Sequence, residues 1–131
     1  MTESPCPGPS DESGGTPVEK PAVLLIVFNR PETTRRVLGR ILEFFPSRLY
    51  VAADGPRDSV RADRERCAAT RALITEMTPA GIEMRTLFRD KNLGCGRAVF
   101  ESIEWFFSHE ESGIILEDDC LTHPDFFTFC E

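Results

Sequence analysis

The stretch AVLLIVFNRP, residues 22–31, decides the fold. Its first seven residues are apolar without interruption and rich in branched side chains, the composition of a parallel strand covered on both faces. Such a strand belongs at the centre of a sheet. The polar pair Asn29-Arg30 closes it, Pro31 fits the first turn of a helix, and Asn29 is placed to cap that helix. Val37, Leu38, Ile41, Leu42 and Phe45 then recur at three- and four-residue intervals, predicting one buried helical stripe that ends at Pro46.

Outward from this unit the rhythm repeats. Leu49–Ala53 reads as a second strand and stops at Asp54-Gly55-Pro56, a cluster that favours a turn. A charge-rich helix follows from about Ser59 to Met77, with Cys67, Thr70, Ile74 and Met77 inward, and Pro79 and Gly81 mark its exit. Ile82–Phe88 is a less apolar strand, expected near an edge. After Asn92-Leu-Gly-Cys-Gly96, a third helix carries Val99, Phe100, Ile103, Phe106 and Phe107 on one face. Gly113 resets the chain before the strand Ile114–Leu116, which runs into Glu117-Asp118-Asp119 and a short helix through Phe126, Phe127 and Phe129.

Strands separated by single helices lie parallel with right-handed crossovers. The sequence therefore predicts an α/β fold, a Rossmann-like parallel sheet with helices on both faces and strand order 3-2-1-4. The chain reverses direction between strands one and four. Ligands of such sheets bind outside the carboxyl ends of the strands at that reversal, where Asn29-Arg30, Asp54 and the three acids 117–119 are expected to converge.

Composition bounds the function. The chain has 131 residues and is 40% apolar, enough for one domain and one core. Residues 1–20 are dense in Pro, Gly, Ser, Thr and Glu and are expected to form a disordered tail, leaving 21–131 as the folded unit. A formal charge of −7 argues against nucleic acid and against an acidic membrane surface. No apolar run is long enough to span a bilayer, and the first residues lack the pattern of a secretory signal, so the expected compartment is cytoplasmic.

Five cysteines with no closely spaced pair read as reduced thiols, mostly small core fillers. Trp105 and the pair Phe106-Phe107 read as core. His109 and His123 are far apart and near helix ends, which suits solvated or capping roles more than catalysis. The GxSxG, P-loop and HExxH patterns do not occur, removing the common hydrolase and ATPase readings.

Two motifs carry the chemistry. LEDDC, residues 116–120, places three consecutive carboxylates at a strand end, where mutual repulsion calls for a cation or hydrogen-bond donors. Hard oxygen ligands suit Mg²⁺ or Mn²⁺, and an ion held by one or two of them keeps positions free for substrate phosphates. The competing reading is an acidic turn that caps a helix. In NLGCGRA, residues 92–98, two glycines permit close backbone approach, a helix start offers free N–H groups, and Arg97 adds a cation. Taken alone, the loop reads more plainly as a connection in which Asn92 caps a helix. Asp54 is a candidate acceptor for a nucleobase and Arg30 a candidate contact to base or phosphate, and either also serves as a turn residue. Nicotinamide chemistry is disfavoured because the glycines do not follow the first strand.

The combination VLLIVFNRPETT (23–34), AADGPR (52–57), RDKNLGCGRA (89–98) and ILEDDCLTHPDFFTFC (115–130) resembles bacterial glycosyltransferases of the A-type fold. It is similar in pattern to N-acetylglucosaminyltransferases that carry an EDD metal motif. The resemblance covers about Pro21 to Glu131, and its weight lies in the order and spacing of the motifs. It implies binding of a nucleoside diphosphate sugar, with Phe28, Asn29, Arg30 and Asp54 at the base and Glu117 and Asp118 at the ribose and donor sugar. Asp119 would bind Mn²⁺ or Mg²⁺, while Asn92, Gly94, Gly96 and Arg97 would close over the sugar and phosphates. In such enzymes the acceptor site and the usual catalytic base come from a second half. The resemblance thus implies a truncated fold with a missing C-terminal half, an unknown acceptor, no catalytic residue to nominate, and little turnover by this chain alone. A half-sheet of this kind is expected to be prone to self-association. Two other readings are a nucleotidyltransferase acting on sugar nucleotides, which would show a glycine- and basic-rich loop after the first strand, and a non-enzymatic receiver-like acidic module. The latter would need acids after the first strand and a lysine late in the chain, where none follows Lys91.

Overall fold

The computed structural model describes residues 20–121 together with Phe126, Phe127 and Cys130. Of the tail expected over residues 1–20, only Lys20 is described, its ammonium donating to the Phe44 carbonyl at 2.6 Å; residues 1–19, with Cys6, and His123 and Phe129 lie outside the described residues. The chain alternates β1 (Ala22–Val27), α1 (Pro31–Phe44), β2 (Arg48–Ala53), α2 (Asp63–Met77), β3 (Glu83–Phe88), α3 (Cys95–Phe107) and β4 (Gly113–Glu117). The four strands form one sheet in the order β3-β2-β1-β4, and every pairing is parallel. This is the α/β, Rossmann-like arrangement expected from the sequence.

The central strand explains the layering. All six residues of β1 are buried, and their alternation sends Val23, Leu25 and Val27 to one face and Ala22, Leu24 and Ile26 to the other. The first set packs with Val37, Leu38 and Ile41 of α1 and Ile74 of α2. The second meets Tyr50 and Phe106, with Val99, Ile103 and Trp105 of α3 partly buried against them. Helices therefore cover both faces, which is why an uninterrupted apolar strand is stable here.

Several local expectations change. Asn29 does not cap α1, whose N-cap is Arg30 without a side-chain cap bond; the Asn29 amide is instead drawn to Asp63. Phe45 is not in the buried stripe: it is 48% exposed and ends α1 in a left-handed conformation, φ 58°, while its neighbour Phe44 turns inward and stacks on Phe127. α2 starts at Asp63 rather than near Ser59, because residues 58–62 form turns, closed by the Val60 N–H on the Arg57 carbonyl and the Asp63 N–H on the Val60 carbonyl. On α3 the inward face is Ala98, Ser102 and Phe106, so Phe100 (62% exposed) and Phe107 face outward. Of the four cysteines described, all reduced, Cys67 is buried, but Cys95 and Cys120 are exposed and are not core fillers. His109 sits exposed just past α3, its Nδ1 2.9 Å from the Trp105 carbonyl oxygen, in keeping with a capping role. Among the described residues no helix is long and apolar enough to cross a membrane.

Candidate functional site

Strand direction fixes where polar groups gather. β1, β2 and β4 all end on the same side of the sheet, and beyond their carboxyl ends lies a cavity of about 260 Å³. Ile26, Val27 and Phe28 contribute an apolar wall from the end of β1, and Ala98 and Val99 another from α3. The polar lining comes from Arg30, Asp54, Arg57, Asn92, Glu117 and Asp118, with Gly94 and Cys95 at the start of α3. The cavity thus straddles β1 and β4, the point of reversal at which open α/β sheets bind ligands.

Asp54 organises one rim. Its carboxylate accepts from the backbone N–H of Gly55 (2.8 Å), Leu93 (2.8 Å) and Gly94 (3.2 Å) and from the Asn92 amide (3.1 Å). Four donors fill the acceptor positions of a carboxylate. In this conformation Asp54 ties the 92–94 loop to the tip of β2. The Asn92 amide also donates to the Gly55 carbonyl, and the Arg71 guanidinium donates to the carbonyls of Asp54 and Arg89, so the clasp is fastened from two sides. Gly55 is needed for close approach, since a Cβ there would lie 2.6 Å from the Lys91 carbonyl carbon. Gly94 takes φ 91°, a conformation open to glycine at little cost, and lets the chain turn into α3.

A second cluster sits behind Phe28. Asp63, the first residue of α2, is 1% exposed. It accepts from Arg57 Nε (2.6 Å), Arg57 Nη2 (3.0 Å), the Arg57 backbone N–H (3.1 Å) and the Asn29 amide (2.8 Å). Hydrogen bonding from Arg57 holds the Asp63 carboxyl well below the usual carboxylate range, against the opposing effect of burial. The guanidinium lies over the Phe28 ring, 5.4 Å from its centroid. Neither Arg57 nor Asp63 stands out in the sequence as a site residue. The signal for Asp63 was present as an acid four residues before Cys67, in register with Thr70 and Ile74 on the inward face.

The acids at the end of β4 divide. Glu117 and Asp118 line the cavity. Asp118 is buried, and burial pushes its carboxyl up from the ordinary range, with Asp119 and Glu117 adding to the rise; Arg30 and a hydrogen bond from the Phe28 backbone oppose it. Asp119 stands exposed beside them, in contact with the Cys120 thiol at 3.7 Å. Among the described residues no three His, Cys, Asp or Glu side chains enclose an ion. Glu117, Asp118 and Asp119 are neighbours in sequence and carry the hard oxygen donors that Mg²⁺ takes together with water and phosphate oxygens.

Of the residues picked out from the sequence, Phe28, Arg30, Asp54, Asn92, Gly94, Glu117 and Asp118 share the cavity wall. Asn29, Gly96, Arg97 and Asp119 do not. Arg97 instead pairs with Glu101 on the outer surface of α3, at 2.8 Å, and Gly96 has open space around it. Fold and cavity together define a Rossmann-like α/β protein with a cleft at its topological switch point. No family model, curated protein or solved structure matches the chain.

Proposed function

We propose that this chain is the donor-binding part of a metal-dependent glycosyltransferase, which binds a nucleoside diphosphate sugar for transfer of the sugar to an acceptor hydroxyl. The observation that supports this reading is the meeting, across one cavity, of the carboxylates ending β4, the glycine loop entering α3 and the cation Arg30. Acids and cations lining one cleft suit a ligand that is anionic at one end and carries hydroxyl groups at the other. The first-turn N–H groups of α3 and Arg30 favour the diphosphate. The ring of Phe28 and the apolar ends of Ile26 and Val27 offer a surface for the base, and Glu117 and Asp118 accept from ribose or sugar hydroxyls. Asp119, beside those two acids, would hold Mn²⁺ or Mg²⁺, which when bound neutralises charge on the departing nucleoside diphosphate.

Calorimetry with UDP, GDP, dTDP and CMP, with and without Mn²⁺, tests the reading. The expected result is binding of one nucleotide that strengthens with the metal. Asp119→Ala should remove that metal dependence, and Asp54→Ala should weaken binding by releasing the 92–94 loop. Binding that ignores the metal and both substitutions, or no nucleotide binding at all, would overturn it.

A further inference from the structure

The pair Arg57–Asp63 has the construction of a recognition element. A fully solvated arginine is a flexible cation, but Arg57 is clamped side-on, with Nε and Nη2 both donating to one buried carboxylate. Its own backbone N–H donates to the same group, and Phe28 lies against the guanidinium. These contacts use one edge of the fork. The other edge, with both Nη1 hydrogens and one of Nη2, makes no hydrogen bond or ion pair among the described residues. The side chain remains 47% exposed and lines the cavity. Asp63 is wholly inside and does not line the cavity, so its interaction with any ligand runs through Arg57.

We infer that Arg57 is a phosphate-binding residue of this cavity and that Asp63 is the positioning residue that fixes its orientation. A guanidinium locked along one edge presents two parallel N–H donors along the other, the geometry that phosphate oxygens take up in bidentate contacts. Pre-orientation matters because the rotamer entropy of the arginine is lost on folding rather than on binding. The inference deepens the nucleoside diphosphate reading and rests on it for the identity of the natural ligand, while the anion chemistry of Arg57 is testable separately. It also distinguishes Arg57 from Arg97, whose outward ion pair with Glu101 keeps it away from the cavity.

The test is titration calorimetry of the full chain with inorganic pyrophosphate and, separately, with UDP, GDP, dTDP and CMP in the presence of Mg²⁺. Arg57→Ala should weaken pyrophosphate binding about tenfold or more, and Arg57→Lys should restore only part of it, because a point charge lacks the fork. Asp63→Asn should weaken binding in the wild-type background yet change nothing in the Arg57→Ala background, a coupling that a merely structural acid would not show. Melting curves verify that each variant folds. If Asp63→Asn does not fold, Asp63→Glu takes its place in the cycle.

Pyrophosphate binding by Arg57→Ala equal to that of wild type overturns the phosphate assignment, and equal losses from Asp63→Asn in both backgrounds overturn the positioning role. Arg57-dependent pyrophosphate binding with no nucleotide bound sinks the nucleotide reading and leaves Arg57 assigned. Failure of the wild type to bind either ligand overturns both.

Discussion

Asp54 and Gly55 work as one device, because the carboxylate draws the 92–94 backbone in while the missing side chain next to it leaves room for residues 90 and 91. Gly55→Ala would place a methyl group 2.6 Å from the Lys91 carbonyl carbon, and backbone cannot swing aside as a side chain can. The loop must shift, at a cost of about 1–3 kcal/mol in the manner of other overpacked sites, and ligand affinity should fall with it. Gly96→Ala is the control: it meets open space within α3 and should be neutral or stabilising by up to about 1 kcal/mol. Urea denaturation measures both, and equal stability of Gly55→Ala and wild type would refute the clasp. The turn chemistry of Asp54-Gly55-Pro56 was legible in the sequence. The partner of that turn was not, since it lies some forty residues away and is brought in by the β2–β3 pairing.

At the scale of elements, the strands were the legible part. β1 declared itself by unbroken apolarity and placed the polar residues Asn29-Arg30 at its end, and β4 did the same for the acids. Helix phase was harder to read: Phe44-Phe45, Val99-Phe100 and Phe106-Phe107 are adjacent apolar pairs, and a three- or four-residue spacing accommodates either member. Packing against the sheet chose Phe44, with Phe106 fully inside and Val99 partly so. Packing also created a staple that no local pattern announces. At the start of β2, Arg48 and the Tyr50 hydroxyl both donate to Glu110, which lies beyond α3. The hydrogen bonds from Arg48 hold the Glu110 carboxyl below its ordinary range. A carboxylate lowered on folding contributes stability that is complete above its unfolded value, about 4.3, and is lost as pH falls through the folded value. Glu110→Gln should therefore cost about 1–3 kcal/mol at pH 7, with the gap to wild type closing as unfolding is measured toward pH 3. A gap that does not change with pH would show that the charge contributes nothing.

Over the whole molecule the parallel sheet separates two tasks, with ligand-facing groups beyond the carboxyl ends of the strands and the Arg48–Glu110 staple at the opposite end of β2. The two edges of the sheet also differ. β3 carries Glu83 and Arg85 as an exposed ion pair, the kind of charge that discourages further strand pairing. β4 reads Gly-Ile-Ile-Leu-Glu, pairs only with β1 among the described residues, and adjoins exposed Phe126. An apolar edge with open backbone groups invites a second copy, while the net charge of −7 opposes contact between like molecules. The two effects respond oppositely to salt, because screening weakens the repulsion and leaves edge pairing intact. Sedimentation velocity should therefore show association that grows with protein concentration and grows further as ionic strength rises. Ile115→Lys, which puts a charge in the middle of β4, should return the protein to monomer, while Phe100→Ser on the outward face of α3 should not. Association that weakens with salt would assign it to charge pairing, and monomer formation by Phe100→Ser but not by Ile115→Lys would move the contact from the strand edge to the helix.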